Sequence, residues 1–490
     1  MVSPCPVHAR ALEHPGTLAL VADSRRLTYR DLDAEIAGWA GRLAARGVGP
    51  GARVALLAWN GLPTVALVFA VRRLRATLVP LNARLARAEL TPLVDRLRPR
   101  LVLAEDALAD RLPGAERVEA LERESVPPYQ DSEALAPDED WAVLFTSGTT
   151  GQQKGVRLPV RALLASAAAS RANLGASVDD RWLCNLPLFH VGGLAMAVRC
   201  AVDGAALVVQ RRFDAVETAR ALEDERITHA SLVARTLALT LDAGVRTLLL
   251  RAVLVGGGPV PAELFARARA AGLPVLQTYG LTEACSQVAT ERPGEADGSS
   301  AGPALPGLAL RVAGAEQSGG EGEIQVRGPT LMAGYLDDAR ATERALVDGW
   351  LRTGDLGRLD HRGRLEIIAR RVDLILSGGE NVYPAEVEAV LTAHPGVAEA
   401  AVVGRTDATW GEVPVAAVVL RPGARTEDLQ AWLRGRLAGF KVPTDVVALP
   451  ALPRTAAEKV DRLALRQVLD AARAARRSDA AETSTGKGAL

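Results

Sequence analysis

The strongest constraint on the fold is a strand, helix, strand pattern near the middle of the chain. An apolar run that ends in three glycines, LRAVLVGGG (250–258), is followed by a helical pattern, PAELFARARAAG (261–272), and by a second apolar run, LPVLQTYG (273–280). Two such runs joined by a helix predict neighbouring parallel strands. Ligands in such folds bind beyond the carboxyl ends of the strands, so both glycine-containing ends are candidate binding positions.

The same alternation recurs in LVLAED (101–106) and AALVVQ (205–210), and it predicts an α/β protein whose large N-terminal domain is built on parallel αβ sheets. From about residue 319 the pattern changes to closely spaced strands, such as EGEIQVRG (321–328) and WLRTGDLGRLD (350–360). Short strands separated by glycine and aspartate turns predict an antiparallel β-subdomain.

These patterns predict the domain organisation. We expect an N-terminal domain over residues 1–370, with the β-subdomain at about 305–370, and a small mobile α+β domain over 371–470. A hinge is expected near residues 370–373. The sequence 471–490 is rich in Ala, Ser, Thr and Gly and lacks apolar periodicity, which predicts a disordered tail.

Composition excludes several classes of protein. Among 490 residues, 58 Lys and Arg balance 58 Asp and Glu, so the charge gives no reason to expect a nucleic-acid partner. The hydrophobic fraction of 48% and the charged fraction of 24% are typical of a globular chain. The cysteines are too far apart for a metal knuckle or a disulfide framework, which favours the reducing cytoplasm. They are Cys5, Cys184, Cys200 and Cys285.

Neither an export signal nor a membrane span is expected. The N-terminal sequence has no charged region followed by an apolar run. The longest apolar stretch, 54–71, is interrupted by Asn60, Gly61 and Pro63. We interpret this stretch as a strand followed by a helix that is capped by Asn60.

Lysine is rare in this chain, which makes each lysine informative. The lysines are Lys154, Lys441, Lys459 and Lys487. Lys154 follows small and hydroxyl-bearing residues in LFTSGTTGQQKGV (144–156). Small residues let backbone N–H groups approach phosphate oxygens, hydroxyls add donors and lysine adds charge, although Gly155 excludes a Walker A loop. The candidate phosphate-binding residues are Thr146, Ser147, Gly148, Thr149, Thr150, Gly151 and Lys154.

Seven segments, in order along nearly the whole chain, resemble the motifs of the adenylate-forming enzymes, which include acyl-CoA synthetases, luciferases and peptide-synthetase adenylation domains. The segments are TSGTTGQQKG (146–155), PLFHVGGL (187–194), LVGGGPV (254–260), YGLTEACSQ (279–287), WLRTGDLG (350–357), RRVDLILSGGENVYPAEVE (370–388) and LPRTAAEKV (452–460). The resemblance implies activation of a carboxylic acid as a mixed anhydride with AMP, because a carboxylate has no adequate leaving group. It also implies ATP, Mg2+ and coenzyme A as cofactors or co-substrates.

The resemblance implies roles for individual residues. Lys459 would bridge the acyl carboxylate and the ribose during adenylation, and Glu283 with Thr150 would hold Mg2+. The remaining nucleotide contacts would come from Gly256, Gly257, Gly258, Tyr279, Gly280, Thr282, Asp355 and Arg370. His190 would lie at the acyl site, and Gly378 with Gly379 would line a tunnel for the pantetheine thiol of CoA. Taken singly, several of these residues are equally compatible with a turn, a surface charge or core packing.

Three positions depart from the pattern of this family. Val372 stands at the hinge where Asp or Lys is frequent, Gln153 stands where Pro is common, and Glu458 stands where Gly is common. None of these differences removes a reacting group, so only the polar contacts of the hinge are put in doubt.

The identity of the acid is the least constrained property. DRWLCNLPLFHVGGL (180–194) and YGLTEACSQVAT (279–290) are similar to the o-succinylbenzoate–CoA ligase branch, which serves menaquinone biosynthesis. Its aromatic acid carries a second carboxylate and a keto group, and His190, Ser286 and Gln287 are candidates to contact it. Packing is the alternative for Ser286 and Gln287. A benzoate- or anthranilate-type aryl-CoA ligase, acyl transfer to a carrier protein and a non-catalytic nucleotide-binding relative remain open.

Overall fold

The computed structural model describes residues 5–129, 136–146, 153–245, 249–258, 260–314, 320–369, 374–454 and 460–485. The described residues within 1–83, 90–146 and 154–371 form one compact unit, and those within 84–89, 147–153 and 372–490 form a second. The expected hinge at 370–373 lies outside the described residues.

Before residue 370 the described chain alternates helices and strands. The helices are α1 (Pro6–Glu13), α2 (Tyr29–Ala44), α3 (Leu62–Arg73), α4 (Arg87–Leu97), α5 (Val118–Glu122), α6 (Val160–Leu174), α7 (Val191–Asp203), α8 (Ala215–Asp224), α9 (Ala234–Asp242), α10 (Ala262–Ala270) and α11 (Ala339–Ala345). Short 3-10 helices span Asp106–Arg111 and Thr282–Ala284.

The strands of this part of the chain are β1 (Leu18–Ala22), β2 (Arg25–Thr28), β3 (Arg53–Leu57), β4 (Thr77–Pro80), β5 (Leu101–Ala104), β6 (Glu116–Arg117), β7 (Asp140–Thr146), β8 (Lys154–Pro159), β9 (Arg181–Cys184), β10 (Ala206–Val209), β11 (His229–Val233), β12 (Ala252–Gly256), β13 (Val275–Leu281), β14 (Ser286–Thr290), β15 (Ala309–Ala313), β16 (Gly322–Arg327), β17 (Gly334–Tyr335), β18 (Leu346–Val347), β19 (Trp350–Leu359) and β20 (Leu365–Ala369).

Two mixed sheets form the α/β part of the first unit. The described strands of one sheet run in the order β14-β13-β12-β11-β9-β10-β1-β2, and those of the other run β17-β8-β7-β4-β3-β5-β6. The predicted strand, helix, strand unit is β12-α10-β13, and Val253 of β12 pairs in parallel with Val275 of β13. Sheet positions buried on both faces, such as Trp141 and Trp182, account for the continuous apolar runs in the sequence. The predicted α/β fold class is confirmed.

The predicted β-subdomain corresponds to an antiparallel sheet with strand order β15-β16-β19-β18, on which β20 pairs with β19. β19 is ten residues long and alternates buried and more exposed positions over much of its length. Such a period of two is typical of a sheet that is packed on one face.

The structure corrects the interpretation of Asn60 as a helix cap. The N-cap of α3 is Gly61, and the backbone N–H of Leu62 donates instead to the carboxylate of Asp23 at 2.8 Å. Asn60 is 1% exposed, and its side chain bonds backbone groups more than a hundred residues away. A capping residue and a tertiary anchor have the same side-chain chemistry, so the local sequence could not distinguish them.

The second unit contains an antiparallel hairpin next to a longer strand pair. Its elements are β21 (Ile375–Ser377), β22 (Glu380–Val382), α12 (Pro384–Thr392), β23 (Val397–Asp407), β24 (Gly411–Leu420), α13 (Glu427–Arg434), β25 (Asp445–Ala448) and α14 (Arg462–Thr485), with a 3-10 helix at Gly439–Lys441. The described strands run in the order β22-β21-β24-β23, and β25 pairs in parallel with β24.

The predicted disordered tail is wrong over residues 471–485, because α14 continues to Thr485. The helix begins where Asp461 accepts hydrogen bonds from the backbone N–H groups of Leu463 and Ala464. Alanine and arginine have high helix propensity, so a sequence without an apolar stripe can still be helical. Residues 486–490 lie outside the described chain. None of the helices among the described residues combines the length and the apolar character needed to cross a bilayer.

Candidate active site

The central feature of the site is a tight turn that follows β13. Gly280 lies so close to the returning chain that an added Cβ would be 1.8 Å from the carbonyl oxygen of Ser286. Cys285 and Ser286 both have positive φ, 57° and 90°. Such angles are uncommon for residues other than glycine and persist where the surroundings hold them. The turn therefore fixes the direction of the side chains between Gly280 and Gln287.

Buried hydrogen bonds hold this turn in place. The hydroxyl of Ser166 on α6 donates to the carbonyl oxygen of Cys285 at 2.7 Å, and the N–H of Met332 donates to the carbonyl oxygen of Glu283 at 2.9 Å. Burial raises the pKa of the Cys285 thiol, so this cysteine stays protonated. Cys285 is consequently a packing residue and not a nucleophile.

Glu283 and Lys154 are brought together by a residue that the sequence did not identify, Tyr335. The hydroxyl of Tyr335 donates to Oε1 of Glu283 at 2.9 Å, and Nζ of Lys154 lies 5.0 Å from the centroid of the Tyr335 ring. Tyr335 reaches this position because β17 pairs with β8, where it lies opposite Val156. The tyrosine thus joins the candidate phosphate-binding lysine to the candidate metal ligand.

A second contact joins two motifs that are far apart in the sequence. The hydroxyl of Tyr279 on β13 donates to Oδ2 of Asp355 on β19 at 2.7 Å. The backbone N–H of Asp355 donates to the hydroxyl of Thr353, which in turn donates to the carbonyl oxygen of Ile324. Tyr279 is 3% exposed, so its ring is fixed by packing as well as by this bond. The candidate adenine and ribose residues therefore form one connected group.

The glycines after β12 permit a close approach of backbone to backbone. A Cβ on Gly256 would meet the carbonyl oxygen of Thr278 at 2.8 Å, and Gly257 has φ of 79°. Gly258 follows directly in sequence. A larger residue at Gly256 would separate the ends of the two strands.

His190 lies at the start of α7 as its N-cap residue. Its ring packs edge-on against Phe189, with centroids 4.9 Å apart. The preceding turn is anchored by Asn60, which accepts from the N–H of Leu188 at 2.9 Å and donates to the carbonyl oxygen of Leu186 at 3.0 Å. Asn60 was missed as a site-forming residue because its partners lie on a distant segment.

Ser286 and Gln287 occupy different environments. Ser286 is partly exposed at the start of β14, whereas Gln287 is 4% exposed. Oε1 of Gln287 accepts from Nη2 of Arg199 at 2.8 Å, and its Nε2 donates to the hydroxyl of Thr290 at 3.1 Å. Both ends of the Gln287 amide are thus engaged with protein groups.

Gly378 and Gly379 form the two-residue turn of the β21–β22 hairpin in the second unit, where Ser377 pairs with Glu380. Both glycines have positive φ, 59° and 87°. Two consecutive positive φ angles define the turn type that suits a two-residue hairpin, which explains why both positions are glycine.

Several predicted site residues lie outside the described part of the chain. They are Ser147, Gly148, Thr149, Thr150, Gly151, Arg370 and Lys459. Thr146 and Thr282 are described: Thr146 ends β7 opposite Lys154, and Thr282 begins the 3-10 helix that carries Glu283.

Glu283 has the donor chemistry that a magnesium ion requires. Tyr335 engages Oε1, whereas Oε2 has no hydrogen-bond partner among the described residues. A carboxylate oxygen of this kind suits Mg2+, which binds one or two carboxylates together with phosphate oxygens and water. No cluster of three or more His, Cys, Asp or Glu occurs in the described ranges. The arrangement therefore fits an ion that arrives with a nucleotide better than a protein-only metal cage.

Comparison with known proteins agrees with this geometry. The AMP-binding enzyme family model matches residues 7–336, and the model of the AMP-binding enzyme C-terminal domain matches residues 386–459. The chain is 40% identical to the 2-succinylbenzoate–CoA ligase of Bacillus licheniformis over 465 residues, which is 92% of this chain and 97% of that protein. It is 35% identical to the enzyme of the same name from Listeria innocua over 92% of this chain and 97% of that protein.

Solved structures give the same result. A double mutant of the o-succinylbenzoate CoA synthetase of Bacillus subtilis, bound to the product analogue OSB-NCoA, matches with a TM-score of 0.91 and 35% identity over 95% of this chain and 98% of that chain. The same enzyme with ATP and a magnesium ion matches with a TM-score of 0.73 and 35% identity over 94% and 98% of the two chains. As its motifs predicted, the chain belongs to the AMP-binding enzyme family.

Proposed function

We propose that this protein is an ATP-dependent 2-succinylbenzoate–CoA ligase that acts in menaquinone biosynthesis. In this reaction the acid and ATP form an acyl-adenylate and diphosphate, and CoA then displaces AMP to give the thioester. The relatives that carry this name cover nearly the whole chain, which supports both the acid and the acceptor. We further propose a cytoplasmic location, because ATP and CoA are supplied there.

The observation that carries the proposal is the convergence of three motifs at the end of β13. Tyr279 is hydrogen-bonded to Asp355. Tyr335 is hydrogen-bonded to Glu283 and lies under the ammonium group of Lys154, and all of these residues belong to one unit of the chain. The reaction needs this combination, because charge develops on the phosphates while the ribose and adenine must be held still. A nucleotide-binding relative without activity would not need a lysine and a carboxylate at the phosphates.

In the proposed adenylation step each residue has a distinct role. Lys154 stabilises negative charge on the phosphates, and its position over the Tyr335 ring limits the freedom of its side chain. Asp355 holds the ribose hydroxyls while Tyr279 orients this carboxylate. Magnesium, when bound with ATP through Glu283, neutralises phosphate charge. Lys459 bridges the acid carboxylate and the ribose.

The acid is proposed to bind between His190 and Ser286. The imidazole of His190 and the hydroxyl of Ser286 provide polar contacts for the keto group and for the second carboxylate. Gly378 and Gly379 are proposed to contact the pantetheine arm, because a turn without side chains lets a thiol-bearing chain approach the backbone.

The test is diphosphate release with ATP, Mg2+ and CoA, with the thioester identified by mass spectrometry. The acids compared are 2-succinylbenzoate, benzoate, anthranilate and a medium-chain fatty acid. We expect 2-succinylbenzoate to have a kcat/KM several hundred-fold above the others, which corresponds to about 3.5 kcal/mol of discrimination. A Lys459→Ala preparation serves as the control for contaminating activity.

Three outcomes would contradict the proposal. A preference for benzoate or anthranilate would identify a different aryl-CoA ligase. Thioester formation with a phosphopantetheinylated carrier protein but not with CoA would identify a different acceptor. Binding of ATP without diphosphate release from any acid would identify a non-catalytic relative.

A further inference from the structure

We propose that Tyr335 is a positioning residue that couples the binding of Mg2+ by Glu283 to the binding of the ATP phosphates by Lys154. This inference rests on the proposed function, since it takes Glu283 as the metal contact and Lys154 as the phosphate contact. The two parts of the Tyr335 side chain have different partners. Its hydroxyl donates to Oε1 of Glu283 at 2.9 Å, and the centroid of its ring lies 5.0 Å from Nζ of Lys154.

The backbone around Tyr335 is bonded to both sides of the site. We call residues 332–336 the bridging segment. At one end of this segment, the N–H of Met332 donates to the carbonyl oxygen of Glu283 at 2.9 Å. At the other end, the N–H of Leu336 donates at 2.7 Å to the carbonyl oxygen of Gly155, the residue after the phosphate contact. The bridging segment therefore fixes the separation of the two elements that carry the metal contact and the phosphate contact.

The position of Tyr335 within the bridging segment is fixed from α11. The N–H of Tyr335 donates to the hydroxyl of Thr342 at 2.9 Å, and this hydroxyl donates to the carbonyl oxygen of Asp338 at 2.9 Å. The preceding Gly334 has φ of 136°, and a Cβ there would lie 2.7 Å from Cγ2 of Thr342. Tyr335 is only 9% exposed. The ring therefore has little freedom to move before a nucleotide binds.

The partner of the hydroxyl distinguishes a positioning role from ordinary packing. A buried tyrosine hydroxyl needs an acceptor, and backbone carbonyl oxygens are sufficient, as Cys200 and Ala205 show for the hydroxyl of Tyr29. Tyr335 instead bonds a carboxylate oxygen of the residue assigned to the metal. Oε2 of Glu283 accepts no hydrogen bond in the described part of the chain, so it remains available to an ion.

Two effects of this hydrogen bond on metal affinity oppose each other. The bond withdraws charge from the carboxylate, which weakens its attraction for a cation. The bond also orients the carboxylate, so less conformational freedom is lost when a metal binds. Orientation is the larger effect, because removal of such outer partners typically lowers metal affinity by about 10- to 100-fold. The ring acts on Lys154 through a cation–π contact, which corresponds to roughly two- to five-fold in affinity at an exposed site.

One ring carries both contacts, and this is the origin of the proposed coupling. When Glu283 is occupied by the metal, Tyr335 is held more firmly, and Lys154 is then better ordered to meet phosphate. When Lys154 is engaged by phosphate, the same ring holds Glu283 for the metal. Such coupling is reciprocal, so the factor by which Mg2+ raises ATP affinity equals the factor by which ATP raises metal affinity.

The experiment measures the affinity of the full chain for ATP without any acid, so that no reaction occurs. Displacement of the fluorescent analogue mant-ATP gives the dissociation constant of ATP in EDTA and in saturating Mg2+. The ratio of the two constants is compared between variants, because binding of Mg2+ to ATP in solution is common to all of them. For Tyr335→Phe we expect this ratio to fall about ten-fold. The constant in EDTA should change less than about two-fold, because the ring remains.

Tyr335→Leu removes the ring as well as the hydroxyl. We expect the same fall in the ratio and, in addition, a rise of about two- to five-fold in the dissociation constant in EDTA. Tyr129→Phe is the matched control, because it removes a hydroxyl from a partly buried tyrosine that packs on the apolar core, and it should change neither quantity. Electron paramagnetic resonance of Mn2+ in the presence of ATP should show weaker ion binding in Tyr335→Phe by the same factor of about ten.

A double-mutant cycle with Glu283→Gln tests whether the hydroxyl acts through this carboxylate. If it does, Tyr335→Phe should lower the ratio in the wild type but not in the Glu283→Gln background. The proposal is overturned by an unchanged ratio in Tyr335→Phe, by an equal loss of ATP affinity with and without Mg2+, or by an effect that persists in Glu283→Gln. Tyr335→Phe removes a single oxygen atom, so it decides the question together with the cycle even if Tyr335→Leu does not fold.

The acid panel tests the proposed function separately. Binding of ATP without an acid does not depend on which acid the enzyme prefers, so a different preferred acid would leave the coupling measurement valid. If Mg2+ does not raise the ATP affinity of the wild type, the assignment of Glu283 to the metal and the coupling proposal both fail, whatever the acid.

Discussion

The turn after β13 and the turn between β21 and β22 both carry proposed site residues, but different forces hold them in shape. The first turn contains non-glycine residues at positive φ and is held by buried groups on α6, α7 and the segment around Met332. The second places glycine at both positions of positive φ, and Gly378 donates a backbone hydrogen bond to Trp410 at 2.8 Å. The first turn therefore depends on its surroundings, whereas the second depends on its own sequence. Damage to the first should affect adenylation, and damage to the second should affect thioester formation.

A large effect is expected from Gly280→Ala in the first turn. The new Cβ would lie 1.8 Å from the carbonyl oxygen of Ser286, so the backbone must move and Glu283 must move with it. A displacement of about 1 Å can reduce the rate by roughly 100-fold, and we expect at least this loss in acid-dependent ATP–diphosphate exchange. Gly49→Ala is the control, because no atom lies within 4 Å of its added Cβ. Exchange near the wild-type rate in Gly280→Ala would show that the turn is not rigid.

Lys459→Ala separates the two half-reactions. We expect adenylation to fall roughly 100- to 1,000-fold, because a fixed positive charge is lost where negative charge develops. Thioester formation from chemically prepared acyl-adenylate and CoA should remain within about two-fold of the wild type. Equal loss of both half-reactions would contradict the assigned role of Lys459.

A fall in pH should destabilise the fold near the first turn, because it affects the protonation of His229. His229 is buried, stacks on Trp182 with centroids 4.6 Å apart, and lies near Asp180, which Arg251 contacts. Burial lowers the pKa of His229 to about 4, with Arg251 and Arg199 acting in the same direction and Asp180 opposing them. The unfolded chain, with a histidine pKa of about 6.5, therefore binds this proton first as the pH falls.

The contribution of His229 to the free energy of unfolding should accordingly be present above about pH 6.5 and decline toward pH 4. We expect a loss of about 2 kcal/mol between pH 7.5 and pH 5, measured by urea unfolding with tryptophan fluorescence. In His229→Gln this part of the pH dependence should disappear. An unchanged pH dependence would show that His229 does not titrate as a buried group.

The smallest effect is expected from Gly379→Ala in the second turn. An L-residue at φ of 87° is strained by about 1–2 kcal/mol, which corresponds to roughly ten-fold if the turn shape is used in thioester formation. Adenylation should change less than about two-fold. Gly423→Ala places the same strain at φ of 84° in another loop of the second unit, and it should leave both half-reactions intact. A loss in adenylation that matches the loss in thioester formation would remove the contrast between the two turns.

Local patterns in the sequence were sufficient for much of the fold. The alternation around residues 250–280 predicted β12, α10 and β13, and the change of pattern near residue 319 predicted the antiparallel sheet. The prediction of a disordered tail failed over residues 471–485. Apolar periodicity indicates whether a helix packs against a core, whereas the helix here follows from the helix propensity of its residues. Tyr335 and Asn60 were missed because their partners lie far away in sequence, and Tyr335 sits on a strand of only two residues.

The sequence by itself determined the family, the two-step chemistry of acid activation and the residue types at each motif. These properties depend on side-chain chemistry in a fixed local order. Only the tertiary structure decided which motifs touch: that Tyr279 bonds Asp355, that Tyr335 joins Lys154 to Glu283, and that Gln287 is tied to Arg199. The physical reason is that these contacts depend on strand pairing and on burial, which are set by the packing of distant segments and not by any single stretch of chain.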